Sequence, residues 1–202
     1  TRLPQNMGIP AEQIQVLSPT RKGPAGTVYL NKLLQKVLNP PSPQKKERQY
    51  GDFSFREGDR VMQIRNNYDI LWKKLDGSAV GAGVFNGDIG RIRLLNTHGE
   101  YVLIDFDDRT CEYDSSLLED LELAYAITVH KAQGSEYRAV VLVSAPAAPS
   151  LMVRGVLYTA ITRARELLVL VGDDVTPGAM AADDRRQRRY SGLRRRLKEA
   201  SE

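Results

Sequence analysis

Hydrophobic positions along this chain change texture twice. Ile14-Gln-Val-Leu-Ser18 reads as a short strand. After the loop Pro19-Thr-Arg-Lys-Gly23, residues Val28, Leu30, Leu33, Leu34, Val37 and Leu38 recur at helical spacing. That stripe predicts a helix from about Ala25 to Leu38, with Pro24 suited to its first turn. Asn39-Pro-Pro-Ser-Pro43 stops the helix and opens a charged linker through Arg48.

From about Phe53 to Leu121 the pattern shifts to short β segments. The stretch Phe55–Ile64 has a turn at Glu57-Gly-Asp59 followed by alternation, and Val84–Ile92 carries the Asn86-Gly87 turn signal. Arg91–Leu95, Tyr101–Asp105 and Thr110–Tyr113 complete a run of five closely spaced strands. Asn96-Thr-His-Gly99 and Asp107-Asp-Arg109 read as hairpin turns, and Leu71–Gly83 as an extended loop. Such a run fits a small barrel of SH3-like type. After Leu121 the segments 123–128, 139–144 and 167–171 read as strands, with a helix over 151–164. Apolar runs alternating with helices mean a parallel sheet buried on both faces. The predicted fold is therefore an α/β lobe interrupted by a barrel. Residues 1–50 and 122–182 form the lobe, 51–121 the insertion, and 183–202 a basic C-terminal tail.

Composition narrows the class. The chain has 202 residues and 42% hydrophobic content, enough for a real core. Its apolar runs, such as Ala139–Val143, are far too short to span a membrane. No signal peptide opens the sequence, which begins at Thr1 rather than Met and is expected to be a piece of a longer protein. Cys111 is the only cysteine, so an intrachain disulfide is excluded and a cytoplasmic location is expected. The pI near 9.2 has a local source. Residues 185–202 hold eight Arg or Lys and two Glu, a net of +6 against +4 overall, which leaves −2 for the rest. That tail reads equally as a phosphate-contacting arm or a solvated charge run.

Two segments carry candidate chemistry: Ala126-Ile-Thr-Val-His-Lys-Ala-Gln-Gly-Ser-Glu136 and Leu157-Tyr-Thr-Ala-Ile-Thr-Arg-Ala-Arg165. On the predicted helix, Val153, Val156, Leu157, Ala160, Ile161 and Ala164 share one stripe, and Arg163 lies off it with Thr159. A guanidinium held away from its own core suits the charge that builds on phosphoryl oxygens. By spacing alone, the plainer reading of Arg163 prevails, a surface arginine that pairs with Glu166 or with helix C-terminal carbonyls. The first segment leaves a strand into a short turn, where backbone N–H groups gather and ligands of open parallel sheets bind. There Thr128 and His130 can bond phosphate or sugar, Gly134 permits close backbone approach, and Glu136 can accept from a ribose hydroxyl. His130 as a structural histidine is the plainer alternative.

These segments resemble motifs V and VI of superfamily 1 helicases. The resemblance assigns Arg163 to the arginine-finger position, Gly134 and Glu136 to the nucleotide side, and Thr128 and His130 to nucleic acid. Gly58-Asp-Arg-Val-Met-Gln-Ile-Arg-Asn-Asn-Tyr68 and Gly83-Val-Phe-Asn-Gly-Asp-Ile-Gly90 resemble the RecD-type branch, whose second RecA-like lobe carries an SH3-like insertion. Arg65, Asn66, Asn67 and Tyr68 would then offer phosphate contacts and one stacking face; the plain account is a turn at Asn66-Asn67 and a hairpin corner at Asn86-Gly87. Thr20-Arg-Lys-Gly23 resembles the region around motif IV, which makes Arg21 a candidate on the nucleotide side, although charged loop residues are commonly just solvated. Asn31 and Gln35 match the family pattern without an assigned role. The family implies 5′→3′ movement on single-stranded DNA and ATP hydrolysis with Mg²⁺; separately, a monomer is expected. The sequence has no Gly-x-x-x-x-Gly-Lys-Ser/Thr phosphate loop and no paired-acid metal strand. ATP and Mg²⁺ would be held mainly by an N-terminal RecA-like lobe outside this sequence, and no metal ligand is expected here. Two rival readings stand beside the helicase: a non-catalytic nucleic-acid-binding module, and the helicase portion of a conjugative relaxase.

Overall fold

The computed structural model describes residues 2–51, 53–96 and 101–185, with positions 196, 199 and 200. The chain opens with α1 (Arg2–Met7), β1 (Ile14–Ser18) and α2 (Thr27–Leu38). Nine short strands follow: β2 (Glu47–Tyr50), β3 (Phe53–Arg56), β4 (Arg60–Gln63), β5 (Asn67–Lys74), β6 (Val80–Val84), β7 (Ile89–Asn96), β8 (Tyr101–Phe106), β9 (Arg109–Asp114) and β10 (Leu121–Leu123). The last part holds β11 (Ala126–Thr128), β12 (Tyr137–Ser144), α3 (Arg154–Ile161), β13 (Ala164–Gly172) and α4 (Val175–Ala182).

Strands from both ends of the chain build one parallel sheet in the order β11-β1-β12-β13. Placing β1 between two later strands closes the lobe around the insertion. Leu17 on β1, Ile127 on β11 and Val140 and Leu142 on β12 are buried with Val156, Leu157 and Ala160 of α3. The helix stripe read from the sequence thus packs, except that Ile161 is exposed and Ala164 already belongs to β13. The insertion is a seven-stranded antiparallel sheet, β10-β4-β7-β8-β9-β5-β6, beside the β2–β3 hairpin. Its separate core gathers Phe55, Val61, Ile92, Val102, Ile104 and Tyr113. The fold is α/β, a parallel lobe interrupted by an SH3-like β-rich insertion.

Two expectations change. Leu71–Gly83 is not a loop: β5 and β6 form a hairpin pairing Trp72 with Gly81. Trp72 lies where a side chain on residue 81 would stand, so Gly81 there makes room for the indole. The α2 stripe is largely turned outward. Val28, Leu33, Val37 and Leu38 are exposed, while Asn31, Gln35 and the following Asn39 are buried. The hairpin at Asp107-Asp108 does form, closing β8 onto β9 with Phe106 opposite Arg109. The proposed turn at 96–99 and most of the basic tail lie outside the described residues.

Polar side chains fix α2 because the junction presents strand-end backbone groups that need partners. Asn31 donates to the carbonyls of Leu123 (2.8 Å) and Ala126 (2.9 Å) and accepts from the Ala126 N–H (2.7 Å). Gln35 donates to the Ser54 carbonyl (2.8 Å). Asp59, on the turn before β4, is fully buried and accepts from Gln35 (2.6 Å), Asn39 (2.7 Å), the Tyr125 hydroxyl (2.8 Å) and the Arg56 N–H (2.8 Å). One carboxylate therefore ties the lobe helix, the insertion and the returning strand together. Burial, then the Asp59 charge, raises the Tyr125 phenol above its ordinary pKa.

Candidate nucleotide and nucleic-acid site

At the end of β11 the chain enters a tight turn. Buried Val129 and Ala132 seat it on the lobe core. The Thr128 hydroxyl accepts the Lys131 N–H (3.3 Å), and the Ala132 N–H reaches the Thr128 carbonyl (3.1 Å). Gly134 then adopts φ +87°, a left-handed conformation that favours glycine. The turn therefore sends neighbouring side chains to three different places.

His130 and Gln133 point to an open groove of about 800 Å³ shared with Ser150, Arg154, Tyr158 and Thr159 around α3. His130 is exposed there. Lys131 points the opposite way and donates to Asn86 of the insertion (2.6 Å). Ser135 and Glu136 meet the second motif. The Arg163 guanidinium donates through Nη1 to the Ser135 carbonyl (2.8 Å), through Nε to the Thr159 carbonyl (3.1 Å) and through Nη2 to the Thr162 hydroxyl (3.1 Å). The Tyr137 N–H bonds the Arg163 carbonyl (2.8 Å), which locks the two motifs together through their backbones.

Arg163 does not pair with Glu166: that carboxylate is held by Arg138 (2.7 Å), and Glu136 by Arg165 (2.7 Å). The helix-carbonyl half of the plain reading is present, in the bond to Thr159. A guanidinium has five N–H donors in a fixed fork. The three bonds above leave two N–H groups for an anion, and no carboxylate pairs with Arg163 among the described residues.

The other candidates fall elsewhere. Arg21 pairs with Glu122 (2.5 Å), and no hydrogen bond or ion pair joins it to Arg163 or Glu136 among the described residues. Arg65 faces Glu119 (3.3 Å) and Asp120 (3.2 Å), which offset its charge. Asn66 accepts the Asn86 N–H (2.9 Å); Asn86-Gly87 is a turn but not the hairpin corner expected, because β6 pairs with β5 and β7 with β4 and β8. Tyr68 is 67% exposed and meets Phe85 edge-on at 5.7 Å between ring centroids. Phe85 and Lys131 escaped the sequence reading. Both sit inside quoted motifs, but only the fold places them together. Among the described residues no group of three His, Cys, Asp or Glu is arranged to hold a metal ion, and no helix is long and apolar enough to cross a membrane.

Residues 30–106 match the model for the SH3 domain of ATP-dependent RecD-like DNA helicases. Residues 123–171 match the UvrD-like helicase C-terminal domain. The chain belongs to the RecD-like helicases. It is 34% identical over 185 residues to the ATP-dependent RecD2 DNA helicase of Deinococcus radiodurans, covering 92% of this chain and 23% of that protein. It is 29% identical over 186 residues to the RecBCD enzyme subunit RecD of Mycobacterium tuberculosis, covering 92% of this chain and 29% of that one. The chain thus spans about a quarter of the length of these relatives. A structure of Pif1 helicases, described for DNA unwinding at forked duplex DNA, superposes with TM-score 0.54 at 18% identity, covering 96% of this chain and 45% of that chain. That likeness shows the fold.

Proposed function

We propose that this chain is the C-terminal part of a RecD-like, exodeoxyribonuclease V alpha-type ATP-dependent 5′→3′ DNA helicase. In this reading residues 1–50 and 122–182 are the second RecA-like motor lobe, 51–121 its SH3-like insertion and 183–202 a basic tail. Single-stranded DNA lies on Thr128, His130, Arg65, Asn66 and Tyr68. Arg163 is the arginine finger, with Gly134 and Glu136 beside the nucleotide. Arg21 keeps a lesser place, because Glu122 holds it.

The observation that carries this reading is the posture of Arg163. Three bonds to Ser135, Thr159 and Thr162 aim it, and two N–H groups remain for phosphoryl oxygens. When bound, ATP with Mg²⁺ supplies the phosphoryl group and the metal charge, both held mainly by the N-terminal lobe that lies outside this sequence. This chain's part is to meet the developing negative charge with a permanently cationic, pre-aimed group. Fixing that group to the strand-binding turn through Ser135 gives DNA contact and nucleotide contact one shared backbone segment. The protein is expected to work in the cytoplasm as a monomer.

The test is DNA-stimulated ATP turnover by the whole protein, wild type against Arg163→Ala. A loss of about 10³-fold or more with DNA binding retained supports the finger. Unchanged turnover refutes it and favours a pure binding module. The 202-residue chain alone is expected not to hydrolyse ATP.

A further inference from the structure

The insertion's large aromatic side chains mostly face inward. Tyr50, Phe53 and Phe55 cluster together, and Phe106 packs on Tyr113. Tyr68 and Phe85 are the exception, since both rings stand at the surface, 67% and 42% exposed, in one edge-on pair. Exposed aromatic area is costly to leave in water, at roughly 25 cal/mol per Å².

Several contacts hold this pair rigidly. Residues 85–88 form a tight turn in which the Asp88 N–H bonds the Phe85 carbonyl (2.9 Å) and the Asp88 carboxylate accepts the Phe85 N–H (3.0 Å). Asn66, two residues before Tyr68, accepts the Asn86 N–H (2.9 Å) and so links the segments bearing the two rings. Gly83 has φ +105°, and a Cβ there would come within 3.2 Å of the tip of the Phe85 ring. The ring therefore lies over bare backbone. From the lobe side Lys131 donates to Asn86 (2.6 Å), the residue after Phe85, and its other two N–H donors make no hydrogen bond among the described residues.

Planar exposed rings beside a tethered ammonium answer the two features of a single nucleic-acid strand, unstacked base faces and phosphates. We propose that Tyr68 and Phe85 form a base-stacking subsite for single-stranded DNA, with Lys131 as its phosphate contact and as the strut that fixes its distance from the Thr128–His130 turn. The inference rests on the reading of this chain as a single-strand binder and adds to it a discrete subsite with two new residues. A strand leaving the lobe turn is handed to the rings without crossing an unsupported gap.

The experiment is fluorescence anisotropy of the full 202-residue chain with labelled dT20 and with an abasic oligodeoxynucleotide of equal length. Stacking is worth about 1–3 kcal/mol per base, so Tyr68→Ala and Phe85→Ala should each weaken dT20 binding roughly 5- to 150-fold. Both should leave abasic binding within about twofold, because a ring has little to stack on there. Tyr68→Phe and Phe85→Tyr, which keep the rings, should retain dT20 affinity and serve as controls for folding. Lys131→Met should weaken both oligonucleotides and lower the salt dependence of log K by about 0.7. Equal loss on dT20 and abasic strands, or no loss on either, overturns the subsite alone. Failure of the wild-type chain to bind either strand overturns the single-strand reading as well.

Discussion

Asp59→Ala is the perturbation that most directly tests how the lobe and insertion are joined. The wild-type carboxylate is fully buried and accepts four hydrogen bonds, from Gln35 and Asn39 of the α2 segment, Arg56 of the insertion and Tyr125 of the returning chain. Alanine removes every acceptor at once. A buried donor left unpaired costs about 1–3 kcal/mol, and breaking a buried charged network by deleting one partner costs about 3–5 kcal/mol. The four losses do not add, because water enters the vacated space and the partners are coupled. We expect a loss of about 4 kcal/mol for Asp59→Ala and about 2 kcal/mol for Asp59→Asn, which keeps one oxygen. At 2–4 °C per kcal/mol for a chain of this size, the alanine variant should melt about 8–16 °C lower.

Urea unfolding should be followed by two probes in parallel. Trp72 is the only tryptophan and sits on β5, so its fluorescence reports the insertion, while far-UV circular dichroism reports the whole chain. The wild-type curves should coincide, and those of Asp59→Ala should separate as the tie between the two units is lost. A loss under about 1 kcal/mol with coincident curves would refute the account, since it would mean that water replaces the carboxylate without penalty.

Two further outcomes follow from single residues. Cys111 is fully buried, and burial pushes its thiol up to about 11. The folded thiol holds its proton while an unfolded one, near pH 9, releases it; this contribution to stability is intact below pH 9 and is lost as pH rises toward 11. Iodoacetamide at pH 8 should leave Cys111 unmodified in the native chain and label it fully in guanidinium, and rapid native labelling would contradict its burial. Gly134→Ala should cost about 1–2 kcal/mol in urea unfolding, from backbone strain. Its φ is +87° and nothing lies within 4 Å of a Cβ there, so a cost above about 3 kcal/mol would point to a clash that the geometry does not contain.

The lobe strands and the break between them were legible because apolar runs such as Ala139–Val143 and the turn signal at Asn86-Gly87 act locally. The orientation of α2 was not. Its apolar stripe suggests an inward face, yet the buried positions are Asn31, Gln35 and Asn39, spaced by four. At this junction the groups to be covered are the carbonyls of Leu123, Ala126 and Ser54 and the Asp59 carboxylate. Unpaired polar groups in a buried place outweigh the gain from turning four aliphatic side chains inward. The polar spacing was visible in the sequence, but its meaning depended on acceptors supplied from residues as far as 95 positions away. The β5–β6 hairpin was hidden for a related reason, since glycines read as loop formers when the indole that fills their space is out of sight.

The site shows the same division between chemistry and placement. Residue types alone could nominate Arg163, but spacing favoured a surface arginine paired with Glu166 or with helix carbonyls. The ion pairs form where the parallel register of β12 with β13 shifts, between Tyr137 and Ala139: Arg138 takes Glu166 and Arg165 takes Glu136. With both nearby carboxylates engaged, Arg163 is left to backbone and hydroxyl oxygens, which aim it without neutralising it. The half-exposed pairs themselves contribute little to stability, under about 1 kcal/mol each. Their consequence is selective. They leave the Arg163 guanidinium without a carboxylate partner, bonded at Ser135 to the same short turn from which Lys131 reaches the insertion. Ser135, which holds Arg163, and Lys131, which holds Asn86, are thus separated by Ala132, Gln133 and Gly134 alone.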